Sequence, residues 1–122
     1  MSAVFTCPGQ GAQRPSMLQK LPAHPAAQAV ATSAEAVLGQ ALTTLDSDNA
    51  LGHSRNVQLS LLISSVAWGR YLLSEGCKPR FVLGLSIGAF PAAVLAGSLT
   101  FEDALQLVAL RGDLMPFPAV LA

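Results

Sequence analysis

The segment Val82-Leu83-Gly84-Leu85-Ser86-Ile87-Gly88-Ala89-Phe90 constrains this chain more than any other. Glycines placed two positions either side of a serine suit a turn so sharp that side chains at those positions would collide. Such a turn needs a strand before it and a helix after it, and the flanking residues supply both. Arg80–Leu83 reads as a short strand entered from the turn at Lys78-Pro79, and an alanine-rich stretch follows Gly88. Pro91 falls close to the first helical turn, where backbone N–H groups have no intrahelical acceptor to lose. A serine in this position stands above the sheet edge at a helix N-terminus, where unpaired N–H groups and the helix dipole can stabilise developing negative charge. Ser86 is therefore a candidate nucleophile; the alternative is a tight turn in which it only caps the helix.

The rest of the chain builds towards that turn. Ala3 to Cys7 reads as a first strand, stopped by Pro8-Gly9 and followed by the loop Gly9-Gln10-Gly11. That loop does not complete a dinucleotide-binding G-x-G-x-x-G pattern, because Arg14 stands at the third glycine position. A loop after an earlier strand can instead provide one of two oxyanion donors, the other following the nucleophile. The N–H groups of Gln10 and Ile87 are the candidates, with a plain surface turn as the alternative for the loop. A helix is expected from Pro25 to Leu38 with Gly39 as its stop, then a polar loop from Thr43 to Arg55. Asn56 can cap a helix to Ser74 that is apolar on nearly all sides and so expected to be buried. A last helix starts at Thr100, an N-cap with Asp103 three residues on, and runs to about Met115, where Pro116 and Pro118 prevent continuation. Strand, helices, strand, helix is the order of an α/β fold with a parallel sheet, and two strands leave that sheet unfinished.

Charge content points the same way. Asp, Glu, Lys and Arg make up 11% of the 122 residues, against about 25% in an average soluble domain. Apolar surface left uncovered in this way implies a partner polypeptide or the remainder of a longer domain. With a formal net charge of zero and no basic run, nucleic acid is excluded as an expected partner. Cys7 and Cys77 have no metal-ligand spacing and suit a reducing compartment, so no metal and a cytoplasmic location are expected. The start, MSAVFTCPGQG, lacks the basic and long apolar regions of a secretory signal. Phe81 to Phe101 is an uncharged run of 21 residues, long enough to cross a bilayer. Gly84, Gly88, Pro91 and Gly97 divide it more naturally into strand, turn and helix, so no membrane partner is expected.

On a helical wheel of Phe101 to Met115, Ala104, Leu107, Val108, Leu114 and Met115 share a side opposite Glu102, Gln106 and Asp113. Arg111 falls within the apolar group. A buried guanidinium is costly unless paired, so its partner is a carboxylate of the protein or of a ligand; snorkelling to solvent remains an alternative. Gly52-His53-Ser54 looks like part of a second serine motif but lacks the closing glycine and a preceding strand, and His53 reads as a surface residue.

Four segments in order, PGQGAQ, NVQLSLL, GLSIGAF and LVALRGDLM, resemble the malonyl-CoA:acyl-carrier-protein transacylases over nearly the whole chain. Leu85, where most members carry histidine, makes the likeness strongest to the malonyl transferase (epsilon) subunits of malonate decarboxylase. The resemblance implies the N-terminal portion of an α/β-hydrolase-like parallel-sheet acyltransferase domain spanning residues 1–122, without the family's ferredoxin-like subdomain and C-terminal part. It implies that Ser86 accepts the malonyl group, Gln10 and Ile87 form the oxyanion hole, Arg111 holds the malonyl carboxylate and Gln58 lines the site. It also implies malonyl-CoA as donor, the phosphopantetheine-type arm of an acyl carrier protein as acceptor, and no tightly bound cofactor. His24 and His53 match no catalytic position of the family, so the general base is expected outside this chain, in the missing half or another subunit, and the chain alone is expected to be inactive. A serine esterase or thioesterase, and a non-catalytic interaction fragment, are the competing expectations.

Overall fold

The computed structural model describes residues 3–115; Pro116 and Pro118, invoked above as helix stops, lie outside the described residues. Strand β1 (Ala3–Cys7) and strand β2 (Pro79–Gly84) pair in parallel, with Val4 opposite Phe81, Thr6 opposite Leu83 and Cys7 opposite Gly84. Parallel pairing brings both strand C-termini to one end, which sets the glycine-rich loop after Cys7 beside the turn after Gly84. The crossover carries helices α1 (Pro25–Leu38) and α2 (Ser54–Ser74), and β2 leads through a 3₁₀ turn at Ser86–Gly88 into α3 (Ala89–Leu95) and then α4 (Phe101–Leu114). The expected α/β fold with a two-stranded parallel sheet is therefore present.

Helix α2 forms the centre of the core. Val57, Leu59, Leu62, Ile63, Val66 and Ala67 are buried on it, against α1, α3 and α4. Its start differs from the expected one: the helix begins at Ser54 with His53 in the capping position, and Asn56 instead donates its side-chain amide to the Ala50 carbonyl at 3.0 Å. Nor is α2 buried along its whole length, since Trp68 is 44% exposed and Leu72 and Leu73 38% each. At 21 residues, α2 extends about 31 Å, whereas the 14-residue α1 and α4 reach about 21 Å and cannot cover its far end.

The segment expected to be a polar loop is more ordered than its composition suggests. It holds 3₁₀ turns at Leu42–Thr44 and Ala50–Gly52, and Leu45 and Asp46 are buried. The Asp46 carboxylate accepts the Leu18 N–H at 3.0 Å and the Gln19 amide at 3.1 Å, while its carbonyl accepts the Ser16 N–H at 2.8 Å. These bonds fix the chain leaving the glycine-rich loop to the core.

Helix α4 corrects the wheel. Its buried residues are Phe101, Ala104, Leu105, Val108 and Gly112, while Leu107, Leu114 and Met115 are exposed together with Leu110. The wheel found an apolar arc but not its centre, because α4 carries two neighbouring apolar stripes and only one faces α2. Glu102, Gln106 and Asp113 are exposed, as expected. The start of α4 is as read, with Thr100 Oγ1 accepting the Asp103 N–H at 3.1 Å. Likewise α1 stops at Gly39, whose φ of 68° is the left-handed conformation that glycine adopts without penalty.

One face of the sheet packs towards α3, and the other leaves Val4, Phe81 and Leu83 at least half exposed. The uncharged run Phe81 to Phe101 is divided among β2, the 3₁₀ turn, α3 and the α4 cap, and no helix among the described residues is long and apolar enough to cross a membrane.

Candidate active site

Ser86 has φ 55°, a left-handed backbone that a residue with a side chain rarely adopts. Its surroundings hold it there. A Cβ on Gly84 would collide with the Gly88 carbonyl, and a Cβ on Gly88 with the Cys7 carbonyl. Both glycines are therefore demanded by backbone approach, one within the turn and the other between the turn and the end of β1. The Ser86 residue is exposed while Ile87 next to it is buried, so the turn presents one side chain and anchors the other.

Arg111 reaches this serine from α4. Its Nη2 donates to Ser86 Oγ at 2.9 Å and its Nη1 to Gln58 Oε1 at 2.7 Å, with the guanidinium 5.9 Å from the centre of the Phe90 ring. The sequence explains how α4 comes so close: a Cβ on Gly112 would strike the Arg55 backbone, so the glycine after the arginine lets α4 rest on the first turn of α2. Gln58 lies one turn further along α2 and is fully buried, and its Nε2 donates to Ser54 Oγ at 3.0 Å. Among the described residues the polar partners of Arg111 are neutral, and no carboxylate pairs with it. The acidic partner that the wheel called for is thus not a group of the described protein, and a cation stands beside the serine ready for an anion.

Across the cleft, Cys7, Gly9 and Gln10 face Leu83, Leu85 and Ser86 around a cavity of about 840 Å³. Bonds that close the two loops run from Ala12 N–H to the Gly9 carbonyl and from Gly88 N–H to the Leu85 carbonyl, not from Gln10 or Ile87. Burial pushes the Cys7 thiol pKa up, so a neutral thiol rather than a thiolate lines this end of the cleft. Ser86, Gln10, Arg111 and Gln58 come together around the cleft, and Ile87 follows the serine as a buried residue.

The histidines lie elsewhere. His24 caps α1 through Nδ1, which accepts the Ala26 N–H at 3.1 Å, and packs edge-on against Tyr71 with Nε2 3.4 Å from Glu75. Tyr71 is thirteen positions beyond Gln58 on α2, about 20 Å along the helix. His53 is exposed in the capping position of α2. No three His, Cys, Asp or Glu side chains cluster as metal ligands among the described residues. Two contributors were not singled out from sequence. Ser54 and Gln58 are four apart on one helix face, a signal that was available; Phe90 beneath the guanidinium needed the tertiary structure.

Comparison with known proteins gives a consistent result. Residues 4–119 match the family described as acyl transferase domain. A malonyl CoA-acyl carrier protein transacylase of Salmonella typhimurium is 37% identical over 116 residues, which are 91% of this chain and 38% of that protein. The crystal structure of an acyl-carrier-protein S-malonyltransferase from Burkholderia pseudomallei superposes with a TM-score of 0.85 at 33% identity, covering 94% of this chain and 39% of that one. A malonyl-transacylase solved in complex with its type II PKS acyl-carrier protein gives a TM-score of 0.83 at 34% identity, covering 93% and 38% of the two chains. The chain thus spans about two fifths of the length of the relatives it matches.

Proposed function

This chain belongs to the acyl transferase domain family, and we propose from that premise that it carries the acyl-accepting serine of an enzyme moving a malonyl group from malonyl-CoA to an acyl-carrier-protein thiol. The observation that carries the reading is the 2.9 Å bond between Arg111 Nη2 and Ser86 Oγ. In a malonyl group the thioester carbon and the carboxylate carbon are separated by one methylene, about 2.5 Å apart. An arginine in contact with the nucleophile is therefore at the right range to hold that carboxylate while the serine attacks the carbonyl.

The proposed reaction has two halves. Ser86 Oγ attacks the thioester carbonyl, the Gln10 and Ile87 N–H groups receive the developing oxyanion, and the C–S bond breaks to release coenzyme A from a malonyl-serine ester. The thiol of a phosphopantetheine-type arm on the carrier protein then attacks that ester and restores the serine. Arg111 turns from Ser86 Oγ to the incoming carboxylate, freeing the hydroxyl, while Gln58 keeps hold of its other nitrogen. The proton of Ser86 goes to a base outside this chain, supplied by the part of the domain that the chain does not span or by another subunit, so the chain alone does not turn over. We place the enzyme in the cytoplasm and, from the GLSIGAF segment, in malonate decarboxylase.

The test is intact mass after brief exposure of the complete enzyme to malonyl-CoA or acetyl-CoA. A malonyl increment on the 122-residue chain is expected, absent in Ser86→Ala. Arg111→Ala should slow malonyl loading by about 100-fold, the loss of a charge-assisted pair, and leave acetyl loading within a few-fold. Equal losses for both donors would remove the arginine's role and favour an esterase, whose neutral substrate has no use for it.

A further inference from the structure

We infer that Ser54 is a positioning residue that fixes the polarity of the Gln58 amide and thereby aims Arg111 at the acyl group bound by Ser86. The inference extends the proposed role of Arg111 and rests on it for its consequence, though not for its geometry. Gln58 is wholly buried, and its two amide ends are chemically opposite: Oε1 only accepts and Nε2 only donates. Arg111 only donates. The amide can hold the guanidinium only with Oε1 facing Nη1, as observed at 2.7 Å. Rotated by half a turn, it would set an NH₂ group against a guanidinium N–H, two donors facing each other in a buried place.

Arg111 alone does not set that orientation, since its contact with Oε1 leaves the Nε2 end of the amide unheld. Ser54 does. Its hydroxyl is buried with the residue 3% exposed, lies one helical turn before Gln58 on the same face of α2, and accepts from Nε2 at 3.0 Å. The result is a directional chain from Ser54 Oγ through Gln58 and Arg111 to Ser86 Oγ, with an acceptor facing a donor at every link. Threonine at position 54 would keep the acceptor. Alanine would leave the Nε2 group buried without a partner and free the amide to turn over.

Two readouts on the 122-residue chain test this, and neither needs turnover. The first is nitrogen-15 NMR of the Gln58 side-chain amide and the Arg111 guanidinium. Slow solvent exchange of both is expected in the wild type and in Ser54→Thr, and loss of protection at both in Ser54→Ala. The second is equilibrium binding of malonyl-CoA against acetyl-CoA, where the wild-type preference for malonyl should fall about tenfold in Ser54→Ala and be retained in Ser54→Thr. Unchanged Arg111 protection in a folded Ser54→Ala chain would overturn the inference, as would an unchanged malonyl preference. A wild-type chain with no malonyl preference would instead overturn the carboxylate role of Arg111, and the NMR arm would still decide whether Ser54 positions it. Ser54→Ala and Ser54→Thr losing protection alike would show that an acceptor at position 54 does not set the amide's orientation, and would also overturn it.

Discussion

At the residue scale, the site couples strain to exposure. A serine at φ 55° costs about 1 kcal/mol relative to glycine, which reaches this region freely. The strain places the hydroxyl outside the turn, where both a substrate and Arg111 can meet it. Replacing the serine therefore separates stability from chemistry. Ser86→Ala and Ser86→Gly both remove the hydroxyl proposed as nucleophile, yet Ser86→Gly should be the more stable by about 1 kcal/mol in chemical denaturation because the backbone strain is relieved. Equal stabilities would show that the turn imposes no strain at this position. Arg111 obeys a comparable logic: its cost of partial burial is met by neutral acceptors, which leave its charge available to an anion.

At the element scale, the approach of two helices sets the distance between Arg111 and Ser86. Gly112 permits α4 to lie on the Arg55 backbone at the start of α2, and Gln58 is then within reach of Arg111. Gly112→Ala must push the helices apart, since the obstacle is main chain that cannot rotate away. The expected outcome is destabilisation by about 2 kcal/mol, read by urea denaturation, together with a reduced preference for malonyl-CoA in binding. Normal stability would mean that α4 has more freedom than the packing implies. The site's opposite wall depends on strand pairing, because parallel register alone brings the end of β1 to the turn after β2.

At the scale of the whole molecule, the sheet has one covered face and one bare one. Val4, Phe81 and Leu83 stand in cross-strand register on the bare face, which is the arrangement that another layer of an α/β domain would cover. A two-stranded sheet exposing this row on its own is an adhesive surface. The isolated chain should therefore self-associate as its concentration rises, and Phe81→Lys should suppress this in sedimentation velocity while changing folding stability by under about 0.5 kcal/mol. Unaltered association would place the contact elsewhere, on the exposed α4 stripe of Leu107, Leu110 and Leu114 for instance.

Sequence alone determined those features whose causes are local. The glycines around Ser86, the Gly39 stop and the Thr100 cap are read correctly because steric collision and capping act within a few residues. That the four ordered segments meet around one cleft is seen in the structure, where Gln10, Gln58, Ser86 and Arg111 lie close together, while the roles that the resemblance gives them remain proposals. What only the tertiary structure decided are the relations between distant segments. Which apolar stripe of α4 is buried depends on the line of contact with α2, and the wheel could not choose between two neighbouring stripes. Burial along α2 ends where its shorter neighbours end, which its own composition does not record. The order of the Thr43–Arg55 segment comes from Asp46 bonding across to Leu18 and Gln19, a partnership between residues about 28 positions apart. Above all, the absence of a carboxylate beside Arg111 among the described residues is a fact of packing, and it is packing that set an arginine of an apolar face between Gln58 and Ser86 with neutral partners alone.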